Sequence, residues 1–172
     1  LPIPRVLKPA LGGLLLGLMA LALTATQGYP YVMAGGYGWI QEALDGHLTI
    51  RLMAILVLAK IVATSLTISY GGSGGVFAPS LFMGAMLGGA YGQLCHQWFG
   101  PEYVPQPEAY VLVGMAGFFA GVAKVPLTAL IMVSEMTGNY ELIVPLMVVS
   151  VVNVAILSSR VTLYEEQVTS LI

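Results

Sequence analysis

The run Ser69-Tyr70-Gly71-Gly72-Ser73-Gly74-Gly75-Val76-Phe77-Ala78-Pro79-Ser80 is a glycine-rich loop feeding an apolar segment. Successive glycines reach backbone conformations barred to other residues, so consecutive N–H groups can converge on one point. Pro79 fits the first turn of a helix, where a missing N–H costs nothing. The amides around Val76 and Phe77 then become donors at the positive end of a helix dipole, which is an anion site without a formal charge. No Lys or Arg occurs from Ile61 to Pro101. A full positive charge in low dielectric holds an anion too strongly for quick release, whereas partial charges bind and still let go, as conduction requires. A second reading stays open at this point, that the glycines only let helices pack closely.

On either side of this loop the chain is apolar. Of its 172 residues 58% are hydrophobic and 8% charged, and the mean hydropathy is +0.88. A soluble domain carries roughly a quarter charged residues, so the composition excludes a soluble globular domain, and it excludes disorder, which needs low hydrophobicity. Lipid is the expected solvent, and 172 residues hold at most about seven straight spans of about 20 residues each. That is one compact membrane domain with no soluble appendage. The charges cluster at the ends of apolar segments, leaving Pro9 to Gln41, Ile61 to Pro101 and Leu142 to Ser159 free of them. No basic patch points to nucleic acid.

Six apolar segments are predicted: Ala10 to Ala25, Leu52 to Ser69, Ser80 to Leu94, Tyr110 to Ala123, Leu127 to Met136 and Leu142 to Leu157, with a short helix over Gly38 to Leu44. Several are shorter than a span and are interrupted by Gly and Pro, which lipid tolerates only where freed backbone groups are buried or line a cavity. The fold class expected is therefore an all-α, multi-pass integral membrane protein with broken and tilted helices, in a plasma or inner membrane. The alternating pattern of a membrane barrel is absent. If the first segment starts in the cytoplasm, Arg5, Lys8, Lys124 and Arg160 fall inside, as positive charges prefer, with Arg51 the exception. Glu42, Asp45, Glu102, Glu108, Glu135 and Glu141 then fall at or near the outside. Lys60, midway along Leu52 to Ser69, must face a cavity, a carboxylate or backbone carbonyls, in a functional or a structural role.

Other features are weaker. The chain starts at Leu1, so either its natural start is missing or it is a piece of something longer. Arg5, Lys8 and the apolar run Leu11 to Leu23 imitate a signal peptide, but Gly12, Gly13 and Gly17 fit a helix packed closely on another. Cys95 is the single cysteine and reads as a small buried apolar residue. Met83 and Met86 read as helix packing. Gly71-Gly72-Ser73-Gly74 imitates the nucleophile motif of intramembrane serine hydrolases. Such chemistry needs a base beside Ser73, and the two histidines, His47 and His96, both lie away from mid-membrane. No metal ligand set is visible.

Gly74-Gly75-Val76-Phe77-Ala78-Pro79 closely resembles the G-x-F-x-P signature of the CLC chloride channels and proton-coupled chloride transporters. Ala123-Lys124-Val125-Pro126-Leu127-Thr128-Ala129 and Glu135-Met136-Thr137-Gly138-Asn139-Tyr140 resemble that family's later "APLTA" and "EMTxNY" segments, in the same order. Leu163-Tyr164 sits where the family has its pore tyrosine. The resemblance implies anion transport without a cofactor, chloride or a related anion being the transported ligand. It implies that the amides of Val76 and Phe77, in the loop of Gly74, Gly75, Ala78 and Pro79, bind the central anion, and that the Tyr164 hydroxyl donates from the cytoplasmic side. The competing reading of Tyr164 is an interfacial aromatic anchor.

Family members consist of two inverted halves, and residues 1–172 resemble only the second. The first half supplies a serine loop, a gating glutamate in a G-x-E-x-P motif and, in the transporters, a proton-relay glutamate. No G-x-E-x-P occurs here. The resemblance thus implies a C-terminal half of a membrane domain that needs an N-terminal half and, as in the family, forms a homodimer in the bilayer. Glu135 reads as a structural charge.

Overall fold

The computed structural model describes residues 7–27, 35–72 and 75–157. Among the described residues every regular element is a helix: α1 Leu7–Gln27, α2 Tyr37–Leu44, α3 Ile50–Ser69, α4 Phe77–Phe99, α5 Ala109–Ala123, α6 Pro126–Thr137 and α7 Ile143–Leu157. All the expected segments appear, and the short seventh helix is α2. The largest difference is α4, which starts at Phe77 rather than Ser80 and continues past Leu94 to Phe99. Its last turns are polar, yet they stay helical because neighbouring loops satisfy them. Gln93 Nε2 donates to the Leu48 carbonyl at 2.6 Å, and His96 Nδ1 donates to the Val104 carbonyl at 2.6 Å.

The helix ends follow local chemistry. The Thr49 side chain accepts from Leu52 N at 3.4 Å and opens α3. Pro126 occupies the first turn of α6, immediately after Lys124 turns the chain with φ of 58°. That reversal is why α5 and α6 are two short helices rather than one span. At 15 and 12 residues, they rise only about 22 and 18 Å, less than the roughly 30 Å of a hydrocarbon core. Among the described residues one helix, Ile50–Ser69, is long and apolar enough to cross a membrane alone.

The core lies where α4 and α5 cross. Gly84, Gly88 and Gly92 repeat every fourth residue and make one face of α4. A Cβ on Gly84 would stand 2.6 Å from the Gly114 carbonyl oxygen, one on Gly88 would overlap the Tyr110 carbonyl, and one on Gly92 would overlap the Pro107 carbonyl. Backbone thus packs on backbone, as small residues permit between membrane helices. The contacts run in opposite senses along the two helices, so α4 and α5 are antiparallel. On another face of α4, Gly89 receives Met53 of α3. On α5, Gly117 meets Val149 and Gly121 meets Leu157, which sets α7 parallel to α5. Met53, Leu81, Phe82, Ala85, Met86 and Met115 are fully buried, and Cys95 is buried as expected. Met83 packs against this core. The outward faces of α1, α3, α6 and α7 stay apolar and exposed, for example at Leu18, Leu58, Leu127 and Ile156.

The topology sorts charge between two ends. Asp45, Glu108 and Glu141 line one cleft of about 580 Å³, formed where α2, the start of α5 and the end of α6 meet. Lys124 stands at the opposite end, between α5 and α6. Lys8 is at the start of α1, where Gly12 touches Tyr70 at the end of α3. Among the described residues Asp45, Glu108 and Glu141 thus lie at the end opposite Lys8 and Lys124, with Arg51 on the acidic side.

Candidate anion-binding site

The glycine run divides into two parts with different jobs. Gly71, at φ of +80°, takes the left-handed conformation that ends α3. Gly71 N donates to the Ile68 carbonyl at 3.0 Å and Gly72 N to the Thr67 carbonyl at 2.8 Å, so these two amides are spent on closing the preceding helix. Gly75 is different: it is exposed, and a Cβ built there meets nothing within 4 Å. Among the described residues nothing lies within 4 Å of a Cβ built on Gly71 or Gly75, so no described helix of this chain packs closely on either. Ser73 and Gly74 lie outside the described residues, as do Leu163 and Tyr164.

Val76 precedes the first turn of α4, and its carbonyl accepts from Ser80 N at 3.1 Å. Pro79 has no N–H, so Ser80 is the first residue able to close a turn back to Val76. The amides of Val76, Phe77 and Ala78 sit before any carbonyl of their own helix that could receive them. Ser80 Oγ donates to the Phe77 carbonyl at 2.7 Å and tightens that first turn. Val76, Phe77, Ala78 and Pro79 are all half-buried, between the core and open space.

The Phe77 ring meets Phe119 of α5 edge to face, with centroids 4.9 Å apart and planes at 88°. Such a pair is directional as well as apolar, so α5 orients the residue whose amide is the candidate donor. Sequence reasoning did not find Phe119. Its only signal is its place late in α5, where an antiparallel partner brings it level with the start of α4.

The other motifs lie elsewhere. Ala123 and Pro126 flank the α5–α6 reversal. The segment Glu135 to Tyr140 closes α6 at its far end. There the Tyr140 hydroxyl donates to Glu135 Oε1 at 2.9 Å, which holds the phenol above its ordinary pKa. Thr137 Oγ1 donates to the Val133 carbonyl at 2.8 Å, and Asn139 Oδ1 accepts from Glu141 N at 3.2 Å. Glu135 therefore serves the helix end. The acidic end of the molecule also holds both histidines, with His47 Nδ1 3.0 Å from Glu42 Oε2. His96 lies 19 residues along α4 from Phe77, about 28 Å away along the helix axis, which leaves the start of α4 without a histidine base.

The expectation for Lys60 named a cavity, a carboxylate or carbonyls; the structure adds an aromatic face, with its Nζ over the Phe82 ring, 5.1 Å from the centroid. In α1, Gly12 packs closely on the end of α3, its Cβ position lying 2.5 Å from Tyr70 Cβ, while Gly13 and Gly17 meet nothing within 4 Å among the described residues.

Comparison with known proteins identifies the family. Residues 1–158 match the family model described as voltage gated chloride channel. The H(+)/Cl(-) exchange transporter ClcA of Cronobacter sakazakii is 36% identical over 143 residues, which are 83% of this chain and 29% of that protein. Chloride channel protein CLC-f of Arabidopsis thaliana is 37% identical over 155 residues, 84% of this chain and 19% of that protein. The crystal structure of a slow cyanobacterial Cl-/H+ antiporter superposes with a TM-score of 0.75 at 25% identity, covering 91% of this chain and 36% of that one. The chain thus spans about three tenths or less of the length of the curated relatives it matches.

Proposed function

The chain belongs to the voltage gated chloride channel family, and from that premise we propose that residues 1–172 are the C-terminal half of a membrane domain that exchanges chloride for protons. The observation that carries this reading is the start of α4. There the Val76 and Phe77 amides head a 23-residue helix beside a glycine with open space around it. Phe77 is oriented by Phe119, and no formal charge lies in the sequence from Ile61 to Pro101.

The chemistry follows from partial charges. A long helix presents roughly half an elementary charge at its N-terminus, and in a low-dielectric surrounding that suffices to replace part of an anion's hydration shell. Gly74, Gly75, Ala78 and Pro79 shape the loop around the donors, and the Tyr164 hydroxyl closes the site from the cytoplasmic side. The anion is then held by hydrogen bonds and never by a salt bridge, so it can leave. Proton coupling rests on carboxylates of the N-terminal half, because this chain has no G-x-E-x-P motif. The apolar outer faces of α6 and α7, with Leu127, Ile131, Val144, Met147, Val151 and Ile156 exposed, suit contact with lipid and with a second copy in a homodimer. The full reading is a multi-pass protein with Lys8 and Lys124 on the cytoplasmic side.

Chloride efflux from liposomes and chloride titration calorimetry on the full-length protein test the site. Replacement of Phe77 or of Tyr164 is expected to change anion affinity or selectivity. Unchanged flux, selectivity and affinity in both variants would remove the site assignment.

A further inference from the structure

Among the described residues Lys60 is the only charged side chain that is buried, 3% exposed in the middle of α3. Burying an ammonium in the interior of a membrane segment is expensive, and such residues mark function by default. Placement of Lys60 is directional: its Nζ stands over the face of the Phe82 ring, 5.1 Å from the centroid. The attraction of a cation to a ring face strengthens where water is excluded, and Phe82 is 1% exposed.

Phe82 is where three elements meet. It belongs to the second turn of α4, five residues and about 7.5 Å along the axis from Phe77. Its ring also presses on Gly36, where a Cβ would overlap the ring carbons. The same antiparallel register that sets Met53 of α3 against Gly89 of α4 sets Lys60 against Phe82. The first turns of α4 are thus held by Phe119 acting on Phe77 from the α5 side, and by Lys60 and Gly36 acting on Phe82 from the α3 and α2 sides. Hydrogen-bond donors bind an anion only while their distances and angles converge, so a slide or rotation of α4 by a fraction of an ångström weakens the site.

We infer that Lys60 is a positioning residue for the anion site: seated on the Phe82 ring, its ammonium sets where α4 begins relative to α3 and hence where the Val76 and Phe77 amides point. This rests on the reading of the α4 start given under Proposed function. Lys60 does not touch the anion, and its effect passes through Phe82. A cation and a ring face can be tuned without changing shape, because fluorination of the ring drains the negative face while barely altering its volume.

Chloride affinity is measured by calorimetry on the full-length protein carrying phenylalanine with zero, one, two or three ring fluorines at position 82. The series is made with Lys60, Lys60→Arg and Lys60→Met. Affinity is expected to fall stepwise with fluorination in the Lys60 and Lys60→Arg proteins, by about tenfold in all. With Lys60→Met it should already be lowered by at least that amount and stay flat along the series. Should Lys60→Met lose stability, the fluorination series with Lys60 and with Lys60→Arg, both of which keep the charge, still decides the inference. A flat series with Lys60, or wild-type affinity in Lys60→Met, overturns the inference while leaving the site in place. Absence of chloride binding in the wild-type protein overturns the site, and the inference with it.

Discussion

Two helices carry clustered glycines in equally apolar surroundings and use them in opposite ways. In α4, Gly84, Gly88 and Gly92 repeat every fourth residue over two turns, and each lies against backbone of α5 or of the loop before it. In α1, Gly12, Gly13 and Gly17 include one pair at that spacing, and among the described residues neither member of the pair has a neighbour within 4 Å of a built Cβ. What separates them is repetition along one face and not glycine content. A stripe three residues long lets two backbones approach over the whole crossing, whereas an isolated pair leaves a shallow dent. The consequence reaches the anion site, because the helix whose first amides are the candidate donors is the one locked along its length.

The sharpest way to break this comparison is to add one carbon to each helix. Gly88→Ala puts a Cβ onto the Tyr110 carbonyl and within 2.9 Å of Gly114 Cα, all backbone atoms that no rotamer change can move. We expect destabilisation of at least about 3 kcal/mol, at or above the upper range for overpacking, and loss of monodisperse protein in detergent. Gly13→Ala and Gly17→Ala meet nothing. They should melt at or slightly above the wild-type temperature, since alanine is the better helix former by up to about 1 kcal/mol. Equal behaviour of the three variants in a thermal melt would erase the distinction.

A second variant probes α4 from the side of α2. Gly36 has φ of +77° and sits against the Phe82 ring, so Gly36→Ala both strains the backbone, by about 1–2 kcal/mol, and pushes the ring. Total destabilisation of about 2 kcal/mol is expected, accompanied by weaker chloride binding in calorimetry. Phe119→Leu tests the other restraint. The lost edge-to-face pairing with Phe77 is worth about 1 kcal/mol, and the expected signature is a severalfold drop in chloride affinity with only a modest fall in melting temperature. An unchanged affinity would mean that α5 does not orient Phe77.

How much of this was legible in the sequence depends on the distance between partners. The helix boundaries set by Pro126 and Thr49, the all-helical class and the glycine loop before Pro79 all follow from neighbours in the chain, and the expected segments match the observed helices within a few residues. The far end of α4 was cut short because Gln93 and His96 look like the end of an apolar segment, and only tertiary contact with Leu48 and Val104 carbonyls keeps them helical. Phe119 on Phe77 and Lys60 on Phe82 are pairs 42 and 22 residues apart, fixed by helix register, and no local pattern announces them. The run of glycines misled in a subtler way. Read as one loop, it hides the division between Gly71 and Gly72, which end α3, and Gly75, which opens toward the candidate site. Tyr164, which the family resemblance proposes for the site, lies outside the described residues.

The smallest expected effect belongs to Gly12→Ala, and it is the one that tests why α1 differs from α4. Gly12 is the exception in its helix, for a Cβ there would lie 2.5 Å from Tyr70 Cβ and 3.0 Å from its Cγ. A clash with a Cβ is not relieved by rotating the ring, so one helix must move. Helix α1 packs on α3 alone among the described helices, and Tyr70 is the residue that ends α3, so a shift of α1 by a few tenths of an ångström disturbs nothing else. In α4 the same shift would have to carry α3 and α5 with it. The cost of an added methyl group is therefore set less by how close the neighbour is than by how many elements must move to relieve it. We expect Gly12→Ala to cost about 0.5–1 kcal/mol, at or below the low end of overpacking, with chloride affinity unchanged. A loss as large as that of Gly88→Ala would show that α1 is as firmly held as α4, and would make its glycines part of the same packed core.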